Sequence, residues 1–197
     1  MNTAQPIRKG EDLQRFKEYF QSKSPNKRNY LLVITGLNTA LRISDILKLR
    51  WGDVYDFKRQ RYREHLDILE QKTDKATLVF INRNMKKALM DYKDDIEKKQ
   101  GRISPDQFLF ESSSHRGRPI SRVQAFRIIK EDADACNLEG VISCHSLRKT
   151  FGYHAWRQGI MPALLMNIYN HSSFQVTVRY LGIEQDDRDN IFKNINI

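Results

Sequence analysis

Between residues 143 and 183 the chain reads S-C-H-S-L-R-K-T-F-G-Y-H, then an apolar run, then N-H-S-S-F-Q-V-T-V-R-Y-L-G-I. His145 and Arg148 stand three residues apart at a helix start, His171 follows a second break, and Tyr180 comes nine residues later. A guanidinium binds phosphate oxygens in pairs, an imidazole carries protons near neutral pH, and a phenol attacks once its own proton has left. Their grouping in one compact region points to phosphate chemistry.

Several elements have to position these groups. Residues 11–21 carry Leu13, Phe16 and Phe20 at helical spacing, which predicts an amphipathic helix broken by Pro25 and Asn26. Residues 27–37 predict a more apolar helix crossing the core, with Gly36 and Asn38 at its frayed end. Leu41, Ile43, Ile46, Leu47 and Leu49 are all apolar, so Arg42 sits among core-facing residues. From residue 51 to 81 the period shortens. Leu66 and Ile68, then Leu78 and Phe80, alternate with polar residues and predict a β-hairpin with Lys72 near its polar tip. Met85, Leu89, Tyr92 and Ile96 share one face of a helix that opens at Asn82 and closes at Gly101. Residues 108–110 read as a short extended run and 112–119 as a loop. Ser121-x-x-Gln124 has capping-box form ahead of Val123, Phe126, Ile129 and Ala133. The last third is helical to Leu181, with breaks at Gly140, at 159–162 and at 170–173. The fold class is mainly α with one small antiparallel β-sheet, and no internal repeat or low-complexity tract interrupts it.

At 197 residues the chain suits one domain, or one large and one vestigial, and is long enough for a real core. Its 34 Lys+Arg exceed 24 Asp+Glu by ten, and a net charge of +10 favours a polyanionic partner, nucleic acid above all. Cys136 and Cys144 lie eight apart with no C-x-x-C, which reads as reduced, buried thiols rather than a disulfide framework or a zinc site. The N-terminus has no apolar signal core and no run reaches transmembrane length, so the expected location is cytoplasmic. Asp94-Asp95 and Asp186-Asp187 read as solvated faces or tail. With no H-E-x-x-H and no Gly-rich phosphate loop, no metal or other cofactor is expected.

Taken in order, Arg42, Lys72, His145, Arg148, His171 and Tyr180 stand in T-G-L-N-T-A-L-R-I-S-D, Q-K-T-D-K, H-S-L-R-K-T-F-G, N-H-S-S and T-V-R-Y-L-G. In this the chain resembles the catalytic domain of the tyrosine recombinases, the phage-type integrases. That family is marked by a first Arg before Ile-Ser-Glu/Asp, a Lys on a β-hairpin, His-x-x-Arg, a His or Trp, and a Tyr. H-x-x-R alone is a weak signal; the ordered set, covering essentially the whole chain, is a strong one. The resemblance implies the DNA breaking–rejoining fold over residues 1–183 and a tail over 184–197.

It also implies roles. Arg42 and Arg148 would clamp a phosphodiester whose non-bridging oxygens gain charge under attack, with Asp45 a candidate to orient Arg42 through an ion pair. Tyr180 would be the nucleophile, linking to the 3′-phosphate and releasing a 5′-hydroxyl; Tyr169 is the nearest rival in sequence. Lys72 resembles the general acid for the leaving oxygen, with Lys75 its rival. His145 would handle the phenol's proton and His171 donate a hydrogen bond to phosphate, whereas His154 has no motif support and reads as structural. The covalent link conserves bond energy, so neither ATP nor a metal is required.

The implied partner is double-stranded DNA, bound by a homo-tetramer on synapsed sites, with a monomer possible without DNA and nucleoid association when bound. Lys58, Arg59, Arg61 and Arg63, together with Lys75, Arg116 and Arg118, are candidates for DNA phosphate contacts, or equally solvated surface. The tail carries Ile191, Phe192 and Ile195 after an acidic run, and would dock on a neighbouring subunit or in cis. Too few residues precede Arg42 for the N-terminal clamp domain of larger members, so a short member or an excised catalytic domain is expected. The alternatives are a type IB topoisomerase, a DNA-binding regulator without catalysis, and a metal-dependent nuclease disfavoured by the missing carboxylates. Integration, excision, resolution and inversion of a mobile element are all compatible outcomes.

Overall fold

A computed structural model describes residues 4–70, 76–183 and 192–195. The domain is built around α2 (Lys27–Thr39). Asn26 caps it, accepting from the Asn29 N–H at 3.0 Å, and Leu31, Leu32 and Val33 are buried on consecutive faces. A helix apolar on every side belongs in the middle of a domain, and α2 packs between α5 (Arg83–Gln100) and α7 (Cys144–Arg157). It does not fray at Gly36. A β-carbon there would come within 2.4 Å of Leu147, so this glycine lets α2 and α7 approach closely, and the helix runs on to Thr39.

Ahead of α2, α1 (Gly10–Glu18) passes into a π-helical turn at Tyr19–Lys23 in place of the single regular helix that periodicity predicts. Phe16 and Phe20 are both buried, as expected. The widened turn closes with the Ser24 N–H on the Tyr19 carbonyl, while the Tyr19 hydroxyl meets Glu131 at 3.1 Å.

After α2 come the short α3 (Ile43–Ile46) and α4 (Trp51–Val54), then a small hairpin, β1 (Tyr55–Asp56) with β2 (Arg61–Tyr62), that periodicity did not announce. The expected hairpin follows, β3 (His65–Leu69) antiparallel to β4 (Ala76–Phe80), so the described residues hold two two-stranded sheets rather than one. Register sets Leu66 opposite Val79 and Ile68 opposite Thr77. Leu66 and Ile68 therefore enter the core, while Leu78 and Phe80 stand exposed on the outer face beside Asp67 and His65.

The remaining helices follow the predicted breaks. Asn82 caps α5, and Met85, Leu89, Tyr92 and Ile96 point inward. Ser121 caps α6 (Arg122–Ala135), whose inner stripe is Ala125, Ile128, Ile129, Asp132 and Ala133. Val123 and Phe126, expected on that stripe, face outward instead. Behind α7 come α8 (Pro162–Tyr169) and α9 (Phe174–Leu181). The apolar residues form two clusters. A large one spans the first two thirds of the chain and reaches Leu147, and a small one joins Ala40, Leu165, Tyr169 and Leu181. Cys136 is buried and Cys144 half-buried, both unbridged, and burial pushes each thiol up to about 11, which keeps them inert. Among the described residues no helix is long and apolar enough to cross a membrane.

Candidate active site

Arg148 lies one turn into α7 and is almost wholly buried. Its guanidinium donates to the Ala40 carbonyl and sits 4.8 Å from the centre of the Tyr169 ring. Ala40 is the left-handed cap of α2, φ 55, so the chain reversal ending the central helix presents that carbonyl. Two residues on, Arg42 forms the N-cap of α3 and ion-pairs with Glu70, immediately after β3. The Arg148 guanidinium is thus fastened to the reversal and that of Arg42 to the carboxylate after β3, and each of these bonds uses only part of a guanidinium's five N–H groups.

The ion pair corrects the sequence reading, which offered Asp45 for Arg42; the bond seen is to Glu70. The signal was present in the alternation, since Leu66, Ile68 and Glu70 share one strand face and a carboxylate at an inward position needs a cation.

Ser143 caps α7 and Ser146 answers from the third helical position, fixing the turn that carries His145. His145 is exposed, its ring perpendicular to that of Tyr180 at 5.2 Å. His171 follows the left-handed Asn170 that ends α8. Its Nδ1 lies 3.1 Å from the Thr177 hydroxyl, which leaves Nε2 for a ligand, and its ring stacks on Tyr169 at 5.3 Å. Burial, then the Arg148 and Arg42 charges, lower the His171 pKa below its ordinary value and favour the neutral imidazole.

Tyr180 is caged. His145, His171 and Tyr169 place their rings 5.2, 4.9 and 5.1 Å from its centre, and Lys149 sets its ammonium 5.2 Å over the ring. Its hydroxyl oxygen is buried and has no hydrogen bond of ordinary geometry among the described residues. Burial raises its pKa, while Arg148 and, more weakly, Arg42 pull it down, so the phenol faces the guanidinium clamp. Tyr169 is different. Its hydroxyl donates to the Arg148 carbonyl at 2.7 Å and its pKa is driven far above the ordinary range by burial. Of the two phenols in this pocket, Tyr169 is committed to structure and Tyr180 has an unspent hydroxyl.

A cleft of about 260 Å³ opens between Arg42, Arg148 and His145 on one side and Arg122 and Phe126 of α6 on the other. No motif marks Arg122, and the helical spacing of Phe126 reads as core, so neither is visible as a cleft residue from sequence. Lys149 is hidden too; a lysine beside an arginine reads as surface, yet it is buried and burial lowers its pKa.

The structure brings Arg42, His145, Arg148, His171 and Tyr180 together. Lys72 and Lys75 lie outside the described residues. Lys58, Arg59, Arg61 and Arg63 are exposed around the first hairpin, where the last three share a groove of about 970 Å³ with Arg83 and Lys86. Arg116 and Arg118 are exposed in the 112–119 loop. Arg116 lines a cleft at the N-terminal end of α2, about 20 Å along that helix from the end bearing Arg42. The basic residues therefore form separate patches.

Two anchored guanidiniums, two imidazoles and an unspent phenol suit attack on a phosphodiester. The model of the phage integrase family matches residues 9–186. The probable integrase/recombinase YoeC of Bacillus subtilis (strain 168) is 43% identical over 186 residues, covering 94% of this chain and 93% of that protein. Among solved structures, XerA recombinase is similar with a TM-score of 0.75 at 19% identity, over 99% of this chain and 68% of that one. XerH site-specific recombinase, bound to its palindromic difH substrate in a post-cleavage complex, gives 0.70 at 17%, over 96% of this chain and 53% of that one. At such identities the structures speak for the fold, which is that of tyrosine recombinase catalytic domains. Family model and relative together place the protein in the phage integrase family, as a tyrosine-type site-specific recombinase.

Proposed function

We propose that the protein cuts and rejoins duplex DNA through a covalent 3′-phosphotyrosyl link at Tyr180. The observation that carries this reading is the buried Tyr180 hydroxyl, which among the described residues makes no hydrogen bond of ordinary geometry and lies under the pull of the Arg148 guanidinium, beside two arginines already held in place. The Tyr180 oxygen attacks phosphorus, the bond from phosphorus to the 5′-oxygen breaks, and Lys72 protonates the departing oxygen. His145, against the Tyr180 ring, takes up the phenol's proton, and His171 donates to a non-bridging oxygen. Arg42 and Arg148 neutralise the charge that develops there. In the reverse step a 5′-hydroxyl attacks the phosphotyrosyl bond and Tyr180 leaves. One phosphodiester is exchanged for another, so neither ATP nor a metal is needed to balance it.

The substrate is double-stranded DNA, held as two synapsed sites by four copies of the chain, in the integration, excision or inversion of a mobile element. A structurally similar integrase, that of the Tn1549 transposon, is in complex with transposon right end DNA, which supports this choice of partner. Lys58, Arg59, Arg61, Arg63, Arg116 and Arg118 contact phosphates outside the cleft, so affinity falls steeply with salt. Phe192 and Ile195 of the tail are apolar and exposed, which supports docking on a neighbouring copy. Deleting the residues after Gln185 should then lower assembly on DNA while leaving single-site binding intact.

The test uses nicked suicide duplexes tiled from DNA flanking the gene, incubated with the protein in EDTA. An adduct that survives SDS is expected with the wild type and absent from Tyr180→Phe. An adduct retained by Tyr180→Phe would remove this nucleophile; none on any duplex would favour a DNA-binding regulator.

A further inference from the structure

We infer that Arg8 is a positioning residue for Tyr180, clasping the end of the nucleophile's helix to a strap laid across the helix of His145 and Arg148. The inference rests on the reading of Tyr180 as nucleophile. The strap is residues 5–8. The Gln5 N–H donates to the Val141 carbonyl at 3.0 Å, and the Ile7 N–H donates to the Thr150 hydroxyl at 2.9 Å. His154 Nε2 lies 2.9 Å from the Ile7 carbonyl, an acceptor, so the imidazole donates. Thr150 and His154 are one turn apart on α7 and hold both polar groups of Ile7 between them, with the Ile7 side chain buried. This gives His154, which the chemistry does not use, a structural task.

From this fixed strap the Arg8 side chain passes within 5.7 Å of the centre of the Tyr153 ring and donates to the Gly182 carbonyl at 2.7 Å. Gly182 is the cap of α9, two residues beyond Tyr180, with φ +67. A β-carbon there would lie 3.0 Å from the Arg8 guanidinium, so glycine serves both the left-handed turn and the close approach. Carbonyls at a helix C-terminus lack intrahelical donors and carry the negative end of the dipole, where a cation is favourable. The helix is eight residues long and packs into the smaller core. A bond at its end therefore bears on where the phenol sits. The clasp makes α7 the common reference for His145, Arg148 and Tyr180.

Arg8→Met keeps the stem beside Tyr153 and removes the donor; Arg8→Lys returns one donor. Two quantities are read for each: single-turnover adduct formation on a nicked duplex at saturating DNA, with the Kd measured separately, and amide hydrogen exchange in α9 against α2 without DNA. For Arg8→Met the adduct rate should fall about tenfold with Kd within about twofold, exchange should rise in α9 alone, and Arg8→Lys should recover most of both. Unchanged rate and exchange would overturn the inference. So would a loss confined to Kd, which makes Arg8 a phosphate contact, or exchange that rises equally in α2, which makes it a general fold contact. If the wild type forms no adduct, the nucleophile reading fails, while exchange in α9 still decides whether the clasp exists.

Discussion

The clamp and the nucleophile meet in one pocket but are held by different parts of the molecule. Arg42 is ion-paired with Glu70 at the hairpin and Arg148 is bonded to the Ala40 carbonyl where α2 ends, and α2 runs through the large apolar cluster. His171 follows α8 and Tyr180 rides on α9, eight residues each, packed on a core of Ala40, Leu165, Tyr169 and Leu181. Helices so short are not stable by themselves, and the elements with fewest buried apolar contacts open most easily. The difference teaches that folding alone sets the phosphate-binding charges, whereas the attacking group depends on a few local contacts that can be changed separately.

Two glycines break the comparison most sharply. At Gly152 of α7 a β-carbon would sit 2.4 Å from the Tyr169 hydroxyl and 2.6 Å from Leu181, between α7 and the small core. Gly152→Ala should slow adduct formation about a hundredfold by displacing Tyr180, since shifts near 1 Å are that costly. Gly36→Ala presses on Leu147 in the large core instead, and should cost roughly 1–3 kcal/mol of stability while the folded fraction stays active. Thermal melts paired with adduct rates decide it; if the two variants exchanged their effects, the division would be wrong.

Lys149 joins the two regions, lying on α7 with its ammonium over the Tyr180 ring. A cation there favours phenolate over phenol. Lys149→Met should lower the adduct rate about tenfold near neutral pH, the equivalent of one unit in the phenol's pKa. Because burial lowers the Lys149 pKa, the wild type loses this cation as pH rises, and the gap between the two rate profiles should narrow on the alkaline side. A gap constant across pH would make the contact one of packing only.

The smallest effect belongs to the large core. Asp132 of α6 is buried, and burial pushes its pKa up to about 8 against the opposing Cys136 hydrogen bond. The folded state therefore keeps a proton that the unfolded state releases above its ordinary 3.8, and stability falls as pH climbs from there toward 8. Asp132→Asn should match the wild type in stability near pH 4 and exceed it by a margin that widens toward pH 8, by at most about 1.4 kcal/mol per pH unit, with adduct chemistry unchanged. Equal melts across that range would show that the carboxyl titrates normally.

Much of this was legible beforehand, for physical reasons. Asn82 and Gly101 bound a helix whose inner face repeats with the helical period, and His145 and Arg148, three apart, read as a helix start. The breaks at 159–162 and 170–173 isolate α8 and α9. What stayed hidden depends on partners distant in sequence. Gly36 reads as a terminator until Leu147 is known to lie against it. Glu70 reads as polar until Arg42 is placed beneath the hairpin, and Phe126 reads as core until α6 is seen to turn it toward the cleft. Between Tyr169 and Tyr180 the family resemblance favours Tyr180 by its spacing from the preceding His, and the hydrogen bond that ties the Tyr169 hydroxyl to the Arg148 carbonyl points the same way.

That rivalry is also the most direct point of test. Trypsin digestion of the covalent adduct separates the two tyrosines, because cleavage after Arg157, Arg179 and Arg188 puts Tyr169 on the peptide 158–179 and Tyr180 at the start of the peptide 180–188. Mass spectrometry should find the oligonucleotide on the peptide that begins with Tyr180. DNA on the Tyr169 peptide would contradict the assignment of an unspent nucleophile to α9.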